Sequence, residues 1–249
     1  MDAYEVFAKT YDTFMEEVDY PSWIAHLEAI WKRFDVQPEM ICDLGCGTGN
    51  VAIPLLQKGY AVMGVDNSEE MLTQARKKAM DLELQLPLFC QDMVELDLPM
   101  YVDCMISLCD CLNYLTEDGE LLEAFQGIKE NLCENGWFIF DMNTPYKFKH
   151  VLGNQTYAAT TEDAAYFWEN TFDEEENINE YYVSFFSKQE GRETYERAEE
   201  YHYERAYSLE EIQGALTEAG FTVKGLYDGY SFAPIKEDSE RFVFVVQVV

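Results

Sequence analysis

The chain has 249 residues with 48 acids against 17 bases, a formal net charge of −31 at pH 7. Such a surface repels phosphate backbones and anionic bilayers, which disfavours nucleic-acid and membrane partners; a cationic or zwitterionic amine would be attracted, unless the acidity serves solubility alone. An apolar content of 48% suits one large α/β domain with an insertion, or two small domains, and no apolar run approaches a membrane span.

Taken in order, Tyr4, Phe7, Tyr11, Phe14 and Val18 recur at helical steps. A second helix starts near Ser22 and carries Trp23, Ile24, Leu27, Ile30, Trp31 and Phe34. The opening residues Met1–Glu5 lack the basic start and apolar core of a secretion signal, so the expected location is cytoplasmic. A short strand, Met40-Ile41-Cys42, ends at Asp43 and opens into Gly45, Gly47 and Gly49. A helix then follows over Val51–Leu56. Strand, glycine turn and helix together expose backbone N–H groups to a ligand. The third glycine falls one residue early for the G-x-G-x-x-G dinucleotide fingerprint, and no Lys-Ser or Lys-Thr follows, which argues against NAD and against a Walker loop.

The next strand, Tyr60–Val65, ends in Asp66, at the spacing of an acid that grips ribose hydroxyls. Asn67 or Ser68 then caps a helix, with Glu70 completing a capping box from Asn67. Pro87–Cys90 leads to Gln91-Asp92-Met93. The fourth strand, Tyr101–Leu108, delivers the turn Cys109–Tyr114 to the carboxyl edge of the sheet, where ligands of open α/β sheets bind. A helix from about Glu117 to Cys133 stops at Asn135-Gly136, and the fifth strand, Trp137–Phe140, runs into Asp141–Phe148. The seven cysteines form no disulfide or zinc framework and read as reduced packing residues.

Beyond residue 150 the sequence turns aromatic and alternating, which predicts a three-stranded antiparallel insertion. Its strands are Tyr157–Phe172, Tyr181–Phe186 and Thr194–Tyr207, with turns at Asp173–Asn177 and Gln189–Arg192. Alternation places Glu200 and His202 on one face, and Tyr201, Tyr203 and Arg205 on the other. A capping box at Ser208–Glu211 opens a helix ending at Gly220, and Phe221–Tyr227 and Phe242–Val249 close the sheet.

The run Asp43-x-Gly45-x-Gly47-x-Gly49, followed by Asp66 and Asp92, resembles the motifs of the class I S-adenosylmethionine-dependent methyltransferases. The resemblance spans nearly the whole chain and is closest to the small-molecule type with a glycine-methyltransferase-like lid. It implies a doubly wound, Rossmann-like α/β fold with a seven-stranded sheet whose last strand is antiparallel, and a small antiparallel lid after the fifth strand. Residues 1–150 and 207–249 would form the core, 1–36 a helical cap over the cofactor, and 151–206 the lid.

The implied cofactor is S-adenosyl-L-methionine, held by Asp43, Gly45, Gly47, Gly49, Asp66, Asn67, Asp92, Met93 and Cys109, with Asp92 near the adenine amino group. The implied reaction is in-line methyl transfer to a small acceptor, with an amine the expected class. Tyr11, of the Tyr11-Asp12 pair, could offer a ring or hydroxyl near the sulfonium or could be core. His202 could act as a base toward an ammonium or serve a structural role, and Arg205 could hold a substrate carboxylate or pair with neighbouring glutamates. Asp110, Asp141 and Asn143 are similar to the metal site of catechol-type methyltransferases, but Met142 interrupts the adjacent Asp-Asn, so no metal is expected. A homodimer is an assembly to be tested for. The rival readings are a non-catalytic S-adenosylmethionine-binding regulator and, behind it, an NAD-dependent oxidoreductase.

Overall fold

The computed structural model describes residues 11, 12, 15, 18–161, 164–188 and 194–248. The expected helix from Tyr4 to Val18 and the turn at Gln189–Arg192 therefore lie largely or wholly outside the described residues. Helix α1 (Tyr20–Phe34) starts two residues before Ser22, because the Asp19 side chain accepts the Ser22 N–H as an N-cap and Pro21 fits the first turn. Its buried stripe of Ile24, Leu27, Ile30 and Trp31 packs on Ile41, Cys104 and Ile139 of the sheet. Full burial of each such side chain contributes about 1.5–3 kcal/mol.

The sheet comprises β1 (Ile41–Leu44), β2 (Val62–Asp66), β3 (Leu88–Cys90), β4 (Val102–Ser107), β5 (Leu132–Asn143), β10 (Phe221–Asp228) and β11 (Arg241–Val248). Its spatial order is β10-β11-β5-β4-β1-β2-β3, and β11 runs antiparallel to both of its neighbours. The order reverses between β1 and β4, so the loops leaving these two strands flank the topological switch point. Helices α2 (Ala52–Gln57), α3 (Glu69–Asp81), α4 (Glu120–Asn131) and α5 (Leu209–Ala219) connect the strands. On one face, Phe125 of α4 meets Phe138, Phe140 and Phe221 as the centre of the larger core cluster.

Several boundaries differ from the sequence reading for local reasons. Ser68, not Asn67, caps α3, its hydroxyl accepting the Met71 N–H. Helix α4 is shorter than 117–133: it begins after Gly119, and β5 already starts at Leu132. Asn135-Gly136, read as a helix stop, lies inside β5, where the pairing with β4 shifts register. The helix opened by Ser208 has its full capping box and ends at Gly220 in the left-handed region. Cys90 and Cys133 are exposed, so not all of the free cysteines are packing residues.

A π-helical turn (Lys147–Leu152) links β5 to a separate antiparallel sheet of four strands, not three: β6 (Thr156–Thr160), β7 (Ala164–Asp173), β8 (Ile178–Lys188) and β9 (Tyr195–Arg205). The span expected as one strand, Tyr157–Phe172, divides at Thr161. Its backbone and hydroxyl bond Ala164 and fold the segment back on itself. Phe148 and Leu152 of the π-turn seat the sheet's inner face through Tyr157, Trp168, Phe172 and Tyr181.

Candidate active site

The loop after β1 is pinned by its neighbours. Val65 O accepts the N–H groups of Gly45 and Cys46 at 2.8 and 2.9 Å. Asp66 Oδ2 accepts the Gly47 N–H at 2.7 Å, and its Oδ1 accepts the Ser68 N–H at 2.9 Å. The glycines serve different ends. A Cβ on Gly45 would stand 2.5 Å from Cys111 Sγ, so this residue is glycine to admit the β4 loop, whereas a Cβ on Gly47 would meet nothing within 4 Å. Gly47 therefore borders open space and has a φ of 52°. Beneath the loop Asp43 is 2% exposed, and its Oδ2 has no partner among the described residues. Burial, and next the nearby Asp66 charge, push its carboxyl up to about 7 against a hydrogen bond from the Ala52 N–H.

The β4 loop is shaped by a buried carboxylate. Cys109 and Asp110 both have positive φ, 68° and 54°, and Asp141 at the end of β5 accepts both of their N–H groups, at 3.2 and 2.7 Å. Asp141 also accepts from the Tyr230 hydroxyl and from Arg241 Nη1, at 2.7 Å for the latter. Arg241 Nη2 reaches Asp110 Oδ1 at 2.7 Å, so one guanidinium ties two carboxylates. Trp23 stacks on Tyr230 with ring centroids 4.3 Å apart, and α1 thus covers this network. Burial alone would raise Asp110, but Arg241 and then Lys147 overcome it and hold the carboxyl below its ordinary range.

A second set of polar groups comes from the four-stranded sheet. Glu204 of β9 is 1% exposed, and its Oε2 accepts from the Tyr181 hydroxyl at 3.1 Å and from Asn143 Nδ2 at 3.3 Å. Lys147 Nζ donates to Asn143 Oδ1 at 2.8 Å. Burial, followed by the Asp110 charge, pushes the Glu204 carboxyl well up. Tyr114, in the 3₁₀ turn after β4, is 46% exposed, yet burial pushes its hydroxyl well up, with Glu204 and Asp110 adding to the shift. The edge of its ring faces His202 of β9, with centroids 5.9 Å apart, so the turn after β4 and the four-stranded sheet meet here.

From the N-terminal side, Asp12 accepts from Thr48 Oγ1 at 2.6 Å, Asn50 Nδ2 at 3.0 Å and Lys78 Nζ at 2.9 Å. Tyr11 faces the same region, and its hydroxyl is pushed well up by burial, then by Cys109, Tyr20, Cys111 and Tyr114.

The methyltransferase-domain family pattern matches residues 41–136, from β1 to the turn within β5. A methyltransferase-family protein of Geobacillus sp. (strain WCH70) is 35% identical over 246 residues, covering 98% of this chain and 99% of that protein. A solved S-adenosylmethionine-dependent methyltransferase from Clostridium acetobutylicum ATCC 824 is 32% identical, with a TM-score of 0.88 over 99% of both chains. The chain belongs to the S-adenosylmethionine-dependent methyltransferases. The sugar N-methyltransferase of Streptoalloteichus sp. ATCC 53650 shares the fold, with a TM-score of 0.75 at 18% identity over 94% of this chain and 92% of that one.

The methyltransferase's residues fit its cofactor, S-adenosylmethionine. Asp43 keeps an unpartnered buried oxygen, Gly47 borders a space that any side chain would fill, and each Asp66 oxygen spends one acceptor position on the backbone and retains another. Nothing basic is needed, because the cofactor carries no phosphate.

Of the other residues singled out in the methyltransferase sequence, Asn67 and Asp92 are exposed, and Asp92 Oδ1 accepts the Val94 N–H. Met93 packs on the core, and Cys109 is the turn residue bonded to Asp141. His202 Nε2 lies 3.0 Å from Glu200 Oε2, and its ring meets Tyr114 edge-on at 5.9 Å. Arg205 sits elsewhere, donating to Thr116 O, Asp118 and Glu211 and covering the Tyr207 ring. The metal-like trio is committed to cations of the chain itself: Asp110 and Asp141 to Arg241, Asn143 to Lys147.

Sequence reading brought the turn Cys109–Tyr114 to the ligand edge of the sheet but did not single out Arg241, Glu204 or Lys78 for the candidate site. For Glu204 a signal existed, since alternation puts it on the face of Glu200 and His202.

Proposed function

We propose that this methyltransferase acts on a small-molecule amine, with the recess between the β4 loop and the four-stranded sheet receiving the acceptor. The observation that carries the reading is the group around Tyr114: His202 meets its ring edge-on at 5.9 Å, Glu200 keeps a buried Oε1 without a partner among the described residues, and the neighbouring cations Arg241 and Lys147 are already held by Asp110, Asp141 and Asn143. The acidic chain as a whole attracts the same class. That a sugar N-methyltransferase shares the fold is consistent with it.

Asp43, Gly45, Gly47, Gly49 and Asp66 would hold the cofactor, the two carboxylates toward its ammonium and its ribose hydroxyls, with Asn67, Asp92 and Met93 bordering the base. When bound, S-adenosylmethionine supplies an electrophilic methyl group on a sulfonium, and positive charge passes to the acceptor as the methyl group is transferred. The chain's own part is alignment, which can be worth about 7–11 kcal/mol, and exclusion of water. Tyr11 and Asp12 close the recess from the N-terminal side and 151–206 form its lid; Arg205 takes no part beyond anchoring β9 to the core.

The test is a methyl-transfer assay with purified enzyme on matched acceptors that differ only in bearing an amino or a hydroxyl group. Transfer to the amino member of each pair is expected. Transfer confined to hydroxyl or carboxyl acceptors, or none to any amine, would overturn the reading.

A further inference from the structure

Two buried glutamates stand four positions apart on the inner face of β9, and their surroundings differ. Glu204 is satisfied: its Oε2 accepts from the Tyr181 hydroxyl of β8 and from Asn143 Nδ2 of β5, which ties the sheet to the core. Glu200 is 5% exposed, and its Oε2 lies 3.0 Å from His202 Nε2 on its own strand. Its Oε1 is buried without a partner among the described residues. Whichever of Oε2 and Nε2 carries the hydrogen between them, Oε1 keeps its lone pairs.

Among the described residues the sheet offers this oxygen no donor. Val183, opposite Glu200 on β8, and Ala198, two positions back on β9, are apolar. Trp168 of β7 comes next in the same row, and its indole N–H is itself buried and unmatched. Neighbouring cations are committed elsewhere: Lys147 to Asn143, and Arg241 to Asp110 and Asp141. A buried acceptor left open is costly unless a donor completes it. The way in lies on the core side, where His202 meets the Tyr114 ring edge-on at 5.9 Å and Tyr114 is 46% exposed.

We propose that Glu200 binds the acceptor's nitrogen, its Oε1 accepting an N–H of the amine, and that His202 is a positioning residue that holds Oε2 and so turns Oε1 to the ligand. The inference rests on the amine reading above and deepens it by naming the group that meets the nitrogen. A neutral amine gives one N–H to the carboxylate and keeps its lone pair for the new N–C bond, which forms as the methyl C–S bond breaks and leaves its electron pair on sulfur. The nitrogen becomes positive beside Glu200, and a carboxylate placed there stabilises that charge as it develops. The product ammonium gives its proton to water after release.

The probe is the N-methylated product of whichever amine among the matched acceptors is transferred fastest, set against the methyl ether of its hydroxyl partner. Each is titrated calorimetrically into protein saturated with S-adenosylhomocysteine. Wild type is expected to prefer the ammonium. Glu200→Gln keeps the shape and removes the charge, and should lower that preference by about 10- to 100-fold, the worth of one charge-assisted hydrogen bond, with S-adenosylhomocysteine affinity within about twofold. A glutamate that only held the sheet together would leave the ratio unmoved. His202→Phe keeps a ring against Tyr114 but releases Oε2, and should lower the preference by about 3- to 10-fold. His202→Gln, whose amide can donate to Oε2, should restore it to within about twofold of wild type.

A thermal melt establishes that each variant is folded, and the two His202 variants carry the test if Glu200→Gln does not fold. A wild type without the preference, an unchanged preference in Glu200→Gln, or a His202→Phe equal to wild type would overturn the subsite while leaving the amine reading intact. If no amine among the matched acceptors is methylated, the amine reading falls, and the role given to Glu200 falls with it.

Discussion

Asp43→Asn is expected to stabilise the protein at alkaline pH while weakening cofactor binding. The Asp43 carboxyl is 2% exposed, one of its oxygens lacks a partner, and it is displaced from an ordinary 3.8 to about 7. The folded state thus binds a proton that the unfolded state has released between roughly pH 4 and 7. Stability from this group is full below the unfolded value and is lost as pH rises through the folded one. At pH 8 the ionised carboxylate costs the fold on the order of 4 kcal/mol, at 1.36 kcal/mol per pH unit. Asparagine keeps the acceptor for the Ala52 N–H but places an amide NH₂ where Oδ2 was, at a cost of about 1–3 kcal/mol. A net gain of roughly 1–3 kcal/mol is therefore expected at pH 8, with none, or a loss, at pH 5. Urea unfolding of both proteins at the two pH values measures it. The cofactor at saturating concentration should stabilise wild type more than the variant, since the acceptor proposed for its ammonium has gone. An identical fall in stability between pH 5 and 8 in both proteins would refute the reasoning.

Arg241→Met leaves Asp141 and Asp110 buried without their cation and should cost about 3–5 kcal/mol in urea unfolding, part of which Asp110→Asn restores in the double variant; no loss would mean that the ion triad contributes nothing. Asp12→Ala removes the hydrogen bonds from Thr48 and Asn50 and an ion pair between part-exposed groups, 31% and 37% exposed for Lys78 and Asp12. It should change stability by no more than about 1 kcal/mol. Stopped-flow displacement should nonetheless show faster release of S-adenosylmethionine, and an unaltered rate would remove Asp12 from the proposed closure. Gly45→Ala and Gly47→Ala should separate in kind. The first drives a methyl group to 2.5 Å from Cys111 Sγ and lowers the melting temperature markedly. The second costs only about 1–2 kcal/mol for its left-handed backbone but abolishes cofactor binding; equal effects on both measures would contradict the division of roles.

The cofactor loop was legible because its chemistry is local. Glycines at alternate positions between an apolar strand and a helix restrict what the backbone can do, and Asp66 follows at the end of the next strand. The helix opened by Ser208 and closed by Gly220 was legible for the same reason. Arg241 was not, because the carboxylates it joins lie 100 and 131 positions away and only the antiparallel pairing of β11 with β5 brings them together. Glu204 sat in plain view on the right face of its strand, but its depth is set by the packing of β9 against the turn after β4, which alternation cannot convey. The break between β6 and β7 escaped notice because no glycine or proline marks it among the described residues; Thr161 makes the turn with its own hydroxyl. Arg205 was misleading for the converse reason: a reactive side chain in a promising stretch points to the opposite side of the strand, where Asp118 and Glu211 neutralise it.

The most direct test of the account is calorimetric titration of the protein with S-adenosylmethionine and, separately, with NAD, alongside Asp66→Ala. The account requires one site for S-adenosylmethionine, none for NAD, and loss of the site in the variant, because the carboxylate anchors the Gly47 N–H and is the group proposed to receive the ribose. Wild-type affinity in Asp66→Ala, or binding of NAD in place of the sulfonium cofactor, would contradict it.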